Sequence, residues 1–322
     1  MIYLNEHNLE QIGIDWPALA SLIEEAAAAF AAGECAQPIK PYLKYGDERN
    51  RIIAMPAYVS RPVRAAGLKW IASFPGNIDI GLPRANSVTI LNDPDTGVPV
   101  AMVQGSLISA IRTAAVSGAL LRKLVAGGEK PLRVALIGMG PIGRMHVHML
   151  NGLLGDRISR ITAFDRRDVD VEEWLNGVPS VIPVEKAASW QEAYRGADVV
   201  FTCTAAPERY IDEAAKPDAI LMHVSLRDYN LDALGNVGTV IVDSWEEICR
   251  ADTDTERLHL YAGLQAESTM TLADALALPQ ERVIRPEGPT LFTPMGLAVF
   301  DVAVAAHYAE AAKRLGVGLR LE

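Results

Sequence analysis

Cysteine is scarce in this chain, and its scarcity already excludes several classes of protein. Only Cys35, Cys203 and Cys249 occur in 322 residues, far apart and in no CxxC pair. That spacing offers neither a disulfide framework nor a zinc site, and it suits small buried hydrophobes in a reducing compartment. Long apolar runs are missing too: none approaches the roughly 18–20 residues that a membrane-spanning helix needs. The amino-terminal MIYLNEHNLEQIGID has no basic segment leading into an apolar core, so no secretory signal is expected and the cytoplasm is the expected location. Positive charge is in deficit, with 30 Lys and Arg against 40 Asp and Glu and a net charge of −10. A nucleic-acid binder needs a basic face, so neither nucleic acid nor a membrane is an expected partner. An anionic small molecule stays open, because a local cationic pocket can sit inside an acidic protein. Histidine gives no metal site: His146 and His148 point to different sides of one helix, and His223, at a strand end, reads as structural.

Half the residues are hydrophobic, enough for full cores, and the length suggests two domains. The organising stretch is LRVALIGMGPIGR, residues 132–144. It reads as a buried strand running into Gly138-x-Gly140-x-x-Gly143, with a helix beginning at once. In that context the three glycines have separate tasks: a tight turn, close approach of a pyrophosphate, and close packing of helix on strand. Pro141 and Ile142 complete the turn, and the helix N-terminus would hold the phosphates. A second strand, ITAF, ends at Asp165, about 20 residues on, where an acid bonds a ribose diol and favours NAD. Arg166 and Arg167 follow and would tolerate NADP.

The rest of the chain divides around this motif. Residues 16–33 carry apolar side chains at helical spacing and end at Gly33. Alternating segments at 38–46, 51–58, 66–75, 87–91 and 98–104 predict a strand-rich α+β unit, with Asn92–Gly97 as a hairpin turn. A helix over 106–124 closes it, and Gly127-Gly128 marks a domain boundary. Strands at 132–137, 160–164, 197–204, 219–224 and 237–242 then alternate with helices, which predicts a doubly wound parallel sheet of Rossmann type. The expected division is 1–126 with 298–322, and 127–297. Thr202, Thr204 and Ser225 leave the sheet edge and are candidate cofactor-side hydroxyls. Pro289 to Leu297 precedes a last helix at 298–315, with Thr293–Gly296 as a loop. In the first unit Lys40, Lys44, Arg51, Lys69 and Arg112 sit in apolar settings. Such cations are rarely buried without a partner, and a ligand carboxylate would supply one.

Gly67-Leu-Lys69, Phe74-Pro75-Gly-Asn77, Asp95-Thr-Gly97-Val-Pro99 and Ile111-Arg112-Thr113-Ala114-Ala115 together resemble the ornithine cyclodeaminase/μ-crystallin family, across nearly the whole chain. The resemblance implies a homodimer built through the strand-rich unit, which also binds substrate. It implies that Lys69 and Arg112 bind the substrate α-carboxylate, that Lys40 and Arg51 line the pocket, and that Arg112, Thr113, Met295 and Gly296 adjoin the cofactor. Two departures stand out. Ile53 replaces a glutamate that holds the distal amine in cyclodeaminases, and His223-Val-Ser-Leu-Arg227-Asp228 replaces the loop with the catalytic aspartate. KWIASFP, NRIIAMPAYV and HVSLRD are more similar to a siderophore-precursor branch of the family. That branch oxidises the glutamate Cα–N bond of N-(2-amino-2-carboxyethyl)-L-glutamate with NAD, and hydrolysis then gives 2-oxoglutarate and 2,3-diaminopropionate. Lys40, Lys69 and Asp228 are candidate bases, and Arg227 is a candidate further carboxylate contact. Cyclisation of ornithine without net redox, imine reduction, alanine dehydrogenation and a non-catalytic dinucleotide-binding role are the alternatives.

Overall fold

The structure is a computed structural model that describes residues 1–179 and 181–322. The chain forms two units, Met1–Val116 with Gly296–Glu322, and Ser117–Met295. The division falls inside the helix Ser106–Leu124, before the Gly127-Gly128 pair at which the sequence suggests a boundary. The reason is packing. Ser117 bonds His146 Nε2 at 3.0 Å, and a side chain on Gly118 would strike Met149 at 2.9 Å, so the second half of the helix belongs with the second unit.

In the first unit the strand order is Leu319–Arg320, Ile2–Leu4, Pro99–Gln104, Ala85–Asn92, Ala65–Ser73, Arg51–Val59 and Tyr42–Leu43. Most pairs are antiparallel, and Ile2–Leu4 runs parallel to Pro99–Gln104. Only Tyr42–Leu43 of the expected 38–46 strand joins the sheet. Lys69 pairs with Met55 on one side and Thr89 on the other. Because paired residues share a face and alternate along each strand, Met55, Ala57, Thr89, Leu91, Ala101 and Val103 lie on the face of Lys69, and all are buried. The helices Trp16–Ala31 and Ala298–Leu315 cover that face. Arg51 and Ile53 lie on it too, paired with Ser73 and Ile71. The opposite face carries Leu68, Trp70, Val88, Ile90 and Met102, none of them buried.

The second unit holds eight strands, all parallel, in the order Met270–Thr271, Thr239–Val242, Thr290–Thr293, Ile220–His223, Val199–Thr202, Leu132–Ile137, Ile158–Phe164 and Val184–Lys186. Strands alternate with helices, as the sequence pattern predicts. Thr290–Thr293 is a strand that the sequence pattern does not predict, fully buried in the sheet interior. It is too short to show a period, and Pro289 and Pro294 disguise it. The chain leaves Leu132–Ile137 toward Ile158–Phe164 on one side and resumes at Val199–Thr202 on the other. This reversal is where open α/β sheets bind ligands, beyond the carboxyl ends of their strands.

Candidate active site

The Gly-rich turn meets three physical demands. Gly138 has φ +105°, and a Cβ there would lie 2.6 Å from the Cys203 carbonyl carbon and oxygen. A Cβ on Gly143 would lie 2.1 Å from the Gly138 oxygen, so helix and strand approach at backbone distance. Gly140 is different: a Cβ there would meet nothing within 4 Å. The space before the helix Pro141–Leu154 is therefore open, Pro141 starts the helix, and no side chain caps it. Its first N–H groups suit the pyrophosphate of a dinucleotide. Asp165, just past the Ile158–Phe164 strand, accepts from the Met139 N–H at 2.8 Å and from the Arg167 N–H at 2.9 Å. Burial raises its pKa, but these donors and the Arg167 guanidinium outweigh burial and keep it ionised. Arg167 thus turns back onto Asp165, while Arg166 is exposed.

On the other side of the reversal a second group gathers. Thr204 and Ser225 donate to the two oxygens of Asp228, and Tyr210 donates to Oδ1 at 3.1 Å. His223 Nε2 lies 3.2 Å from both Asp228 Oδ2 and Asp254 Oδ2. Asp254 also accepts the backbone N–H of Asp228 and of Tyr229, each at 2.9 Å, and Arg209 Nε at 2.6 Å. Two strained turns lock together here, with Leu226 at φ +69° and Ala251 and Asp252 at φ +63° and +56°. Non-glycine residues in this region cost of order 1–3 kcal/mol and cluster at functional sites.

This geometry shows what surrounds three of the expected site residues. Asp228 is fully buried, and although burial raises its pKa, His223 and the hydroxyls pull it down to about 2. At neutral pH this carboxylate is therefore held in its ionised form, anchored by its donors. Arg227 donates to the Ala251 carbonyl at 2.7 and 3.0 Å and ties the two turns together. The Thr202 hydroxyl is enclosed in the sheet without a partner, and only its carbonyl serves the edge, accepting the Ser225 N–H at 3.0 Å. Met295 N–H donates to Asp243 at 2.9 Å.

The first unit carries a separate cationic cradle. Lys69, 2% exposed, donates from Nζ to Ser109 Oγ at 2.6 Å and to Asp301 Oδ1 at 2.9 Å. Arg112 Nε donates to the same Oδ1 at 2.7 Å. Lys40, 4% exposed, donates to the Gly296 carbonyl at 2.8 Å. Gly296 has φ +84°, and a Cβ there would lie 2.7 Å from an Arg112 terminal nitrogen, so glycine seats the guanidinium. Thr113 bonds back to the Ser109 carbonyl at 2.8 Å. Arg51 lies beside the Tyr42 ring, 5.3 Å from its centroid, on the sheet face of Lys69. Burial pushes the Lys69 pKa down to about 8 against the pull of Asp301, with Arg112 adding to the push. Asp301 is the residue that sequence reasoning missed. The available signal was a single acid in the apolar run AVFDVAVAA.

No helix among the described residues is long and apolar enough to cross a membrane, and no cluster of His, Cys, Asp or Glu among them could hold a metal ion. Known proteins resemble the chain over its full length. N-((2S)-2-amino-2-carboxyethyl)-L-glutamate dehydrogenase of Staphylococcus aureus is 30% identical, covering 100% of this chain and 98% of that one. An archaeal alanine dehydrogenase, solved as a dimer with bound NAD, superposes with a TM-score of 0.82 at 26% identity, covering 100% and 99%. The Δ1-pyrroline-2-carboxylate reductase of Thermococcus litoralis, solved with NADH and L-proline, shares the fold with a TM-score of 0.87 at 22% identity over the whole of both chains. The family model for the ornithine cyclodeaminase/mu-crystallin family matches residues 5–225, and the chain belongs to that family.

Proposed function

We propose that this protein oxidises the glutamate Cα–N bond of N-(2-amino-2-carboxyethyl)-L-glutamate with NAD, and that water then splits the imine into 2-oxoglutarate and 2,3-diaminopropionate. The coarser part follows from the family and its relatives: this is an NAD-dependent enzyme acting on amino-acid substrates. The finer part rests on one observation. Lys69 and Arg112 are both buried and share one acid, Asp301, so the pair carries a surplus positive charge that a ligand carboxylate would balance. Arg51 on the same sheet face adds a further cation for a substrate with several carboxylates. Ile53, which pairs with Ile71 on that face, offers nothing to hold the distal amine of ornithine.

In this reading Arg112 and Lys69 take the α-carboxylate and aim the Cα–H. NAD, when bound, would supply the hydride acceptor; the open turn at Gly140 and the helix behind it would hold its pyrophosphate, and Asp165 its ribose diol. Thr204, Ser225 and Tyr210 all donate to Asp228, which leaves their lone pairs as acceptors at the nicotinamide half of the sheet edge. With Lys69 committed as a cation to Asp301, Ser109 and the carboxylate, the cradle's other buried lysine, Lys40, is the candidate base for the amine proton. The exposed apolar sheet face around Trp70 suits a second copy of the chain as partner.

Mixing purified protein and NAD with the glutamate conjugate, ornithine, alanine or buffer, and following NADH absorbance, tests the assignment. The conjugate is expected to give NADH and 2-oxoglutarate in equal amounts. Proline and ammonia from ornithine without net NADH would overturn the assignment in favour of a cyclodeaminase.

A further inference from the structure

Asp301 has no part in the reaction just described, yet its placement is costly. It lies in the helix Ala298–Leu315, 4% exposed, among Val299, Phe300, Val302 and Ala303. An ionised carboxylate in such surroundings is strongly destabilising unless charged donors meet it. Two do, through one atom: Oδ1 accepts from Lys69 Nζ at 2.9 Å and Arg112 Nε at 2.7 Å. The two cations come from a strand and a helix far apart in the chain, and Asp301 is the tie between them. Lys69 spends a second hydrogen on Ser109 and keeps one, while Arg112 keeps its terminal nitrogens beside Gly296. Oδ2 of Asp301 is buried without a protein partner.

We propose that Asp301 is a positioning residue of the substrate cradle: by sharing Oδ1 between Lys69 and Arg112 it fixes the spacing of their remaining donors and governs the charge of Lys69. The inference rests on the reading above only in taking the ligand to be a carboxylate. Among the described residues, the groups facing Lys69 are Ser109 and Arg112 from one helix, Asp301 from another, Lys40 from the segment before the Tyr42–Leu43 strand, and the uncharged Met55 and Thr89 from neighbouring strands. Asp301 is the sole acid among them. With its charge removed, burial, Arg112 and Lys40 all push Lys69 toward the neutral amine. The amine would then bring one positive charge fewer to a carboxylate.

The test needs no turnover. Full-length protein labelled at lysine Cε is titrated by NMR, with the Lys69 signal assigned by its loss in Lys69→Arg. In Asp301→Asn the Lys69 titration is expected to fall by about one unit or more, and the affinity for L-glutamate, read by calorimetry at neutral pH, to drop about tenfold. An unmoved titration in a folded Asp301→Asn protein would overturn the proposal. If that variant does not fold, Asp301→Glu replaces it: Lys69 is expected to stay charged while glutamate affinity falls, because the longer side chain displaces both donors. Unchanged affinity there would overturn it as well. If the NADH assay fails but the Lys69 titration moves, the positioning role stands and only the substrate assignment falls.

Discussion

Replacing Asp228 by Asn should destabilise the second unit severely, and the size can be worked out. Asp228 is wholly enclosed, receives three hydroxyl donors and faces His223 at 3.2 Å. Its pKa falls from 3.8 to about 2, which at about 1.4 kcal/mol per unit stands for roughly 2 kcal/mol of stability. Asparagine also turns one acceptor into a donor that meets hydroxyls already aimed at it, and leaves His223 with Asp254 alone. Together these bring the expected loss to about 3–5 kcal/mol, the range for breaking a buried pair. The pH signs differ for the two partners. Asp228 is depressed, so its stabilisation is present above 3.8 and disappears as pH falls toward 2. Burial opposes the charge on His223, but the two aspartates raise its pKa above 6.5, so its share is present below 6.5 and is lost as pH rises through the folded value. Urea unfolding followed by circular dichroism across this range reads both limbs. In Asp228→Asn the acid limb should flatten. A loss below about 1 kcal/mol, or an acid limb identical to that of the parent, would show that the carboxylate is not what holds these turns.

Two further substitutions separate packing from cofactor contact. Thr202→Val should be neutral or stabilising by up to about 1 kcal/mol, because it removes a buried hydroxyl that has no partner; thermal melting checks this, and an increased KM for NAD would restore Thr202 to the cofactor site. Gly143→Ala places a methyl 2.1 Å from a backbone oxygen that cannot withdraw, whereas Gly140→Ala fills open space. The first should lose its cooperative melt, and the second should melt normally yet bind NADH at least about tenfold more weakly by fluorescence titration.

What could be read in the sequence tracks how local each physical constraint is. The Gly138–Gly143 turn was legible because its demands on the backbone act within a few residues, and Asp165 because a strand length sets its distance. Lys69 and Arg112 stood out as cations in apolar segments, though only the family resemblance gave them a role. Asp228 was harder to read for the opposite reason. Its proton affinity depends on Thr204, Tyr210, His223 and Asp254, which converge from separate segments, so no spacing could reveal that the carboxylate is locked in the ionised state. Thr202 and Thr204 have the same parity and differ in depth: Thr202 is the last residue of the buried strand Val199–Thr202, enclosed by its parallel neighbours, whereas Thr204 lies beyond the strand end. Asp301 was hidden by distance along the chain, yet its signal was there to use. An acid in the middle of AVFDVAVAA has no polar neighbour on its helix to share a solvent face. Such a residue must be buried, and a buried acid requires a cation. Lys69 and Arg112 were already waiting for an acid on the same argument. Pairing unsatisfied charges of opposite sign between apolar segments would have brought the three together before any coordinates.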